Sequence, residues 1–169
     1  MQPLTLFHVS EERGITRFDP RAPTDGSEPV VWAVDGDRLR NYLVPRDCPR
    51  VTFYAGRDTT DADTRRFLGS SPAVLAIESA WIDRLKSCRL YCYNFPTATF
   101  DCIDDCAGYF VSRVPVIPTS VDVITDPIAE LARRRVELRI VPSLWPLRDA
   151  VAASSLRFSI IRMRNAQPR

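Results

Sequence analysis

Short apolar segments alternate with polar, proline-containing loops along the whole chain. An apolar segment over residues 4–9 predicts a strand almost at the start of the sequence. β-branched and aromatic residues cluster in further segments, and such clusters are typical of strands. The further predicted strands are residues 30–34, 51–55, 73–78, 90–95, 109–112, 114–117, 121–124 and 156–163.

The helices predicted by the pattern are all short. One starts after Asp35, which can cap it, and ends before Pro45. Others are predicted at 79–85, from Pro127 onward and at 144–153, whereas residues 57–66 are an exposed loop or a short helix. The alternation in residues 136–140 fits either a half-exposed strand or a continuation of the preceding helix, and 96–105 is predicted as a loop.

These elements predict an α+β fold, in which one mixed, curved β-sheet is combined with short helices. The chain has 169 residues, 45% of them hydrophobic, which suits one domain with a substantial core. We therefore expect a single domain over 1–169, with 164–169 as a flexible tail. The sequence shows neither an apolar run long enough to span a membrane nor a secretory signal, so we expect no membrane partner and a cytoplasmic location.

Charge and motifs exclude several classes of function. A net charge of +2 does not indicate general nucleic-acid binding. Lys86 is the only lysine among 23 basic residues, a bias explained either by a GC-rich genome or by arginines that grip phosphate. The phosphate-binding glycine motifs and the serine nucleophile motif are absent, and a single histidine, His8, excludes sites that need two.

Four of the five cysteines follow the spacing C-x3-C-x9-C-x3-C, which zinc sites can use. Cys88 and Cys92, however, flank a segment predicted to be a strand, where they would lie about 13 Å apart. We therefore expect buried structural cysteines and no metal. Cys48, between Arg46 and Arg50, leaves a thiol enzyme as a further alternative, because the arginines could lower the pKa of its thiol.

The segment 6–10, written Leu-Phe-His-Val-Ser, is followed after a loop by 30–35 and a helix containing Tyr42. This order resembles the opening of ADP-ribosyltransferase-like domains. The resemblance implies an NAD-binding fold in which His8 hydrogen-bonds the ribose, Ser10 assists, and an aromatic residue, Trp32 or Tyr42, stacks on the ligand. It also implies an acidic residue that stabilises a cation-like sugar.

The sequence departs from that family where the acid is expected, since no E-x-E or Q-x-E is present. By elimination Glu78, at the end of a strand, is the candidate catalytic residue; its alternative role is to support the cap of the next helix. Asp101, Asp104 and Asp105 are looser alternatives.

The whole chain also resembles an uncharacterised bacterial family, a domain of unknown function. The segments that match are 8–12, 18–21, 45–50, 108–112 and 158–166. That family implies no activity for the chain.

Two arginines are candidates for an anion clamp. Arg46 follows a proline in a rigid segment, and Arg162 continues an apolar strand face toward its rim. The alternative for Arg46 is a turn held by an ion pair of Asp47 with Arg46 or Arg50. Tyr109 is placed by the same hypothesis in the ligand pocket.

The sequence thus predicts a protein with a nucleotide or NAD pocket, which transfers ADP-ribose to an unknown acceptor. The alternative is a non-catalytic binding or interaction module that retains the fold.

Overall fold

The computed structural model describes residues 4–22, 26–104 and 107–169. Contacts within the chain divide it into two compact units. The first unit is Met1–Tyr42 with Arg89–Thr125, and the second is Leu43–Cys88 with Asp126–Arg169. The predicted single domain over 1–169 stays a prediction.

The α+β class is confirmed, but the expectation of a single sheet is wrong, because the described strands form two sheets. In chain order the strands are β1 Leu6–Ser10, β2 Val31–Asp35, β3 Arg50–Tyr54, β4 Ala73–Glu78, β5 Leu90–Phe95, β6 Asp101–Asp104, β7 Tyr109–Ser112, β8 Ser120–Ile124, β9 Val136–Val141 and β10 Arg157–Ile161. The helices are α1 Asp61–Asp63, α2 Ile82–Ser87, α3 Pro127–Arg133 and α4 Trp145–Ala152, and a π-helical turn, Thr64–Leu68, continues α1.

The first unit contains a six-stranded sheet in the order β6-β7-β2-β1-β5-β8, and every neighbouring pair is antiparallel. Its core lies on one sheet face, around Leu6, Ala33 and Phe95. Phe18 packs on this face and exchanges two backbone hydrogen bonds with Val116.

Three local expectations for the first unit need correction. Residues 114–117 contain only an isolated bridge to Phe18, so the strand predicted there is wrong. Residues 96–105 contain β6, which the pattern missed because all four of its residues are exposed at the edge of the sheet. The helix predicted after Asp35 is a 3₁₀ helix, Leu39–Tyr42, and the Asp35 carboxylate accepts the backbone N–H of Arg38 at 2.7 Å.

The second unit contains a mixed four-stranded sheet in the order β10-β3-β4-β9. Only the β4–β9 pair is parallel. Val151 of α4, and Leu144 directly before this helix, lie in a core with Val51, Phe53 and Val74. Residues 136–140 form a strand rather than more helix, because Arg135 has a positive φ of 58° and ends the helical course.

None of the described helices has the length and apolar character needed to cross a membrane.

Candidate functional site

The eight residues predicted to form the site fall in two units. Five belong to the first unit and three to the second: His8, Ser10, Trp32, Tyr42 and Tyr109 in the former, Arg46, Glu78 and Arg162 in the latter.

His8 and Ser10 lie on the core face of β1, because alternate residues of a strand share a face and Leu6 is a core residue. The imidazole ring packs against Phe18, with ring centroids 4.9 Å apart, and lies 6.0 Å from Phe95. Its Nδ1 lies 3.0 Å from the carbonyl oxygen of Trp32. This side of the sheet therefore holds His8 firmly.

Trp32 and Tyr109 lie on the opposite face of the same sheet. Trp32 alternates with the core residue Ala33, and Tyr109 is the cross-strand partner of Val34. The predicted grouping of His8 with Trp32 and Tyr109 around one pocket is thus not what the first unit shows. The strand register places the β-sheet between them.

Trp32, Tyr109 and Tyr42 form a cluster, which we name the aromatic surface. The rings of Trp32 and Tyr109 meet edge to face with centroids 5.9 Å apart. The hydroxyl of Tyr42 donates to that of Tyr109 at 3.4 Å. Tyr109 thus packs against the ring of Trp32. Trp32 nevertheless remains 42% exposed, which is unusual for so large an apolar side chain.

A tight backbone turn fixes one edge of the aromatic surface. Gly108 has a φ of +63°, and a Cβ there would lie 2.6 Å from Cγ of Arg38 and 2.4 Å from an oxygen of Asp35. The Gly108 carbonyl accepts the backbone N–H of Asp35 at 3.1 Å. The stem of Arg38 is therefore pressed against the residue that precedes Tyr109.

Glu78 ends β4 on the core face that α4 covers, and it is completely buried. Its Oε1 accepts the backbone N–H of Leu144 at 3.0 Å, and its Oε2 accepts that of Gln167 at 2.9 Å. A 3₁₀ helix, Ser79–Trp81, follows Glu78 directly, and the Glu78 side chain makes no capping hydrogen bond to it, so the predicted capping alternative is wrong. Both oxygens hold backbone groups far along the chain, and a catalytic role for Glu78 stays a prediction.

The two arginines of the proposed anion clamp lie beside one turn. Arg46 is exposed, and its carbonyl accepts from the Arg50 guanidinium at 3.2 Å. Arg162 reaches Asp47, with 4.0 Å between its Nε and Oδ1. The Asp47 carboxylate is thus an internal anion next to the position proposed for an external one, and the clamp stays a prediction.

Cys48, which lies between Arg46 and Arg50 in the sequence, is completely buried. Burial raises the pKa of its thiol to about 12, and the nearby Arg50 only partly opposes this effect. The low thiolate pKa on which a thiol enzyme would depend is therefore contradicted.

Cys88 and Cys92 do not lie on one strand, contrary to the prediction. Cys88 follows α2 and its thiol contacts the carbonyl of Leu85 at 3.3 Å, while Cys92 lies in β5. The four described cysteines are not in disulfides; Cys106 and Asp105 lie outside the described residues. Within 4–22, 26–104 and 107–169, groups of three or more histidine, cysteine or acidic side chains that could hold a metal ion do not occur.

A family sequence model matches almost the whole chain. The sequence model of a family of unknown function, DUF6886, matches residues 7–166. The chain belongs to this family. No curated protein and no solved structure matches this DUF6886 member. The resemblance to ADP-ribosyltransferase-like domains receives no support from these comparisons and stays a prediction.

Sequence reasoning missed two parts of this DUF6886 member that its geometry makes prominent. Arg38 beside the aromatic surface had no motif to mark it; the only signal was a glycine, Gly108, directly before Tyr109. The contacts of Glu78 and Trp145 with Gln167 were also missed, because they join residues that are far apart in sequence.

Proposed function

We propose that this protein is a nucleotide-binding protein that stacks a base on the aromatic surface of its first unit. The observation that carries the proposal is the 42% exposure of Trp32, whose ring is fixed by Tyr109. A bound base covers such a ring without displacing other side chains, and stacking of a base on an aromatic ring contributes about 1–3 kcal/mol.

Arg38 is the proposed phosphate contact. Its stem lies beside Gly108, and its guanidinium lies near the exposed Asp37, 3.8 Å from the nearest carboxylate oxygen. Arginine binds phosphate oxygens through two parallel N–H groups. We therefore expect a ligand that combines a base, stacked on Trp32, with a phosphate bound by Arg38, which is a mononucleotide or one half of a dinucleotide such as NAD.

These observations favour a protein that binds a nucleotide without catalysing a reaction. Transfer of ADP-ribose requires a carboxylate that faces the developing positive charge on the sugar. Glu78 is buried and both its oxygens accept backbone N–H groups, which supports the non-catalytic binding or interaction module over a transferase. Transfer to an acceptor and a cytoplasmic location stay predictions.

The test is calorimetric titration of the protein with NAD, AMP and adenosine. Trp32→Ser should weaken the binding of all three at least about fivefold, the lower end of the stacking contribution. Val123→Ser is the matched control, because Val123 is an exposed apolar residue of the same sheet and lies on β8. If Trp32→Ser binds the three ligands as tightly as the parent protein does, the base does not stack on the aromatic surface.

A second variant separates the two contacts. Arg38→Gln should weaken the binding of AMP and NAD but leave that of adenosine unchanged, because adenosine has no phosphate. If none of the three ligands binds the parent protein, the interaction module replaces the nucleotide-binding function. Release of nicotinamide on incubation with NAD would instead restore the transferase.

A further inference from the structure

The segment 165–169 of the second unit is held by main-chain and side-chain contacts, and its main-chain contacts with side chains are those of Gln167. The backbone N–H of Gln167 donates to Oε2 of Glu78 at 2.9 Å, and its carbonyl oxygen accepts from Nε1 of Trp145 at 2.7 Å. One residue therefore has both of its backbone groups recognised by side chains. Recognition of main-chain groups in an extended segment is typical of peptide-binding sites.

The chain becomes extended directly after the 3₁₀ helix Met163–Asn165. Ala166 has φ −71° and ψ 161°, which is polyproline-II geometry, and Pro168 follows Gln167 directly. The backbone N–H groups of Asn165 and Ala166 are bonded locally, to the carbonyl oxygens of Arg162 and Met163. Gln167 is therefore the residue of the segment whose two backbone groups are bound by side chains.

An arginine fixes the far end of the segment. Nη2 of Arg169 lies 3.1 Å from each carboxylate oxygen of Asp149, and its guanidinium lies over the ring of Trp145 at 4.7 Å. Trp145 thus contacts the segment twice, with its ring nitrogen and with its ring face. A carboxylate and an aromatic face together select arginine over other side chains.

Glu78, Trp145 and Asp149 together form what we name the docking site. Glu78 is at the base of the site, completely buried, and it is also bonded to Leu144 at the start of α4. A buried carboxylate that loses a hydrogen-bond donor must find another, because an unsatisfied buried charge is strongly unfavourable. The docking site therefore needs an occupant that supplies a backbone N–H in the position of Gln167.

We propose that the docking site is a peptide-recognition site, and that residues 165–169 are its resident, displaceable occupant. The ligand class is an extended peptide in which a residue with an accessible backbone N–H is followed two positions later by arginine. The contacts of Gln167 and Arg169 do not require the segment to belong to the same chain. A tethered segment acts at an effective concentration in the millimolar range, so a separate peptide binds only when the resident segment is weakened.

The experiment measures fluorescence anisotropy of a fluorescein-labelled peptide, Asn-Ala-Gln-Pro-Arg, with the full-length protein. The occupant is weakened in the variant Gln167→Pro with Arg169→Ala, which lacks the backbone donor and the guanidinium. This variant should bind the peptide at least about tenfold more tightly than the parent does, because the tethered competitor is weakened. If it fails to fold, Arg169→Ala alone replaces it, since Arg169 is exposed.

Two controls test the specificity. The peptide Asn-Ala-Pro-Pro-Arg lacks the backbone N–H and should bind at least about tenfold more weakly. Trp145→Phe, added to the weakened variant, should reduce binding, whereas Trp81→Phe should not, because Trp81 lies in the same unit, outside the docking site.

The proposal is overturned if a folded weakened variant does not bind the peptide at millimolar concentration, in which case the segment has a structural role only. Equal binding of the two peptides, or no effect of Trp145→Phe, also overturns it. None of these measurements uses a nucleotide, so the outcome is independent of the proposed function.

Discussion

Nδ1 of His8 lies 3.0 Å from the carbonyl oxygen of Trp32, at the point where β1 and β2 stop pairing. The backbone register joins these strands only at Leu6 with Asp35 and at Phe7 with Val34. A carbonyl oxygen accepts and never donates, so Nδ1 carries the proton of this bond. The side chain of His8 therefore continues the ladder, and it ties the core face of the sheet to the residue that bears the aromatic surface.

Substitution of His8 should separate the hydrogen bond from the ring packing. His8→Phe keeps a ring beside Phe18 but loses the bond to Trp32, and should lower the free energy of unfolding by about 1 kcal/mol. His8→Ala loses both and should cost about 2–3 kcal/mol. Urea denaturation followed by circular dichroism measures the difference. Leu4→Ala, at an exposed position before β1, is the control and should change stability by less than about 0.5 kcal/mol.

Glu78→Gln should destabilise the second unit rather than act only on catalysis. A glutamine has one oxygen and one NH₂ group, so one of the backbone N–H groups of Leu144 and Gln167 would face a donor. We expect a loss of about 2–4 kcal/mol in the free energy of unfolding, because a buried donor is left unsatisfied and a buried bond is lost. The measurement is chemical denaturation at neutral pH.

The exposed Glu12 provides the matched control for this substitution. Glu12→Gln changes the same groups at the surface and should leave stability within about 0.5 kcal/mol of the parent. If Glu78→Gln is as stable as Glu12→Gln, the hydrogen bonds of Glu78 with Leu144 and Gln167 do not contribute to the stability of the protein in solution. A loss of turnover without a loss of stability would then favour the catalytic role.

Much of the secondary structure could be predicted because its cause is local. β4, β5 and β7 have the predicted bounds, since each is a compact run of apolar or aromatic residues. β6 could not be predicted in this way, because its four exposed residues have no buried face to leave a pattern. The division into two sheets depends on which strands pair, and pairing is decided by packing between distant segments.

The candidate site shows the same limit. Its residues were identified by type, but whether two residues on neighbouring strands share a face depends on register. Leu6 opposite Asp35 sets His8 and Trp32 on different faces; a shift of one residue would have set them together. The partner of Glu78 is likewise Gln167, and nothing near Glu78 in the sequence indicates it.

The contact between Asp63 and Ser155 predicts a pH dependence of stability. Hydrogen bonds from the hydroxyl (2.6 Å) and the backbone N–H (2.8 Å) of Ser155 hold the pKa of the Asp63 carboxyl below its usual range. The unfolded state therefore binds a proton more readily than the folded one. The stabilisation is fully present above about pH 4, the usual range for aspartate, and is lost as the pH falls toward the lowered pKa.

Asp63→Asn should remove part of the acid-induced loss of stability between about pH 5 and pH 2, as measured by thermal melts across that range. Asp61→Asn is the control, because Asp61 is an exposed acid in the same short helix. If the melting temperature of Asp63→Asn falls with pH as steeply as those of the parent and of Asp61→Asn, the assignment to Asp63 is contradicted.

Cys48 should resist alkylation while the protein is folded. Burial raises the pKa of its thiol to about 12, so little thiolate exists at pH 8, and the residue is inaccessible. Cys102 is exposed on β6 and should react with iodoacetamide before the three buried cysteines, Cys48, Cys88 and Cys92. Peptide mass mapping after timed labelling distinguishes the sites, and labelling of Cys48 should become rapid only in denaturant. Early labelling of Cys48 in the native protein would show that the burial is wrong.

Gly108→Ala should be far more destabilising than Gly14→Ala. Both glycines have positive φ, at +63° and +76°, so both substitutions incur backbone strain of about 1–2 kcal/mol. At Gly14 the new Cβ meets nothing within 4 Å, whereas at Gly108 it would lie 2.4 Å from Oδ2 of Asp35. That oxygen belongs to a carboxylate held by the backbone of Arg38, so it cannot withdraw without losing a hydrogen bond. We therefore expect Gly108→Ala to lose about 1–2 kcal/mol more of the free energy of unfolding than Gly14→Ala in urea denaturation, and to alter the fluorescence of Trp32.

Equal losses of stability in the two variants would contradict this prediction, because the turn before Tyr109 would then have room for a Cβ.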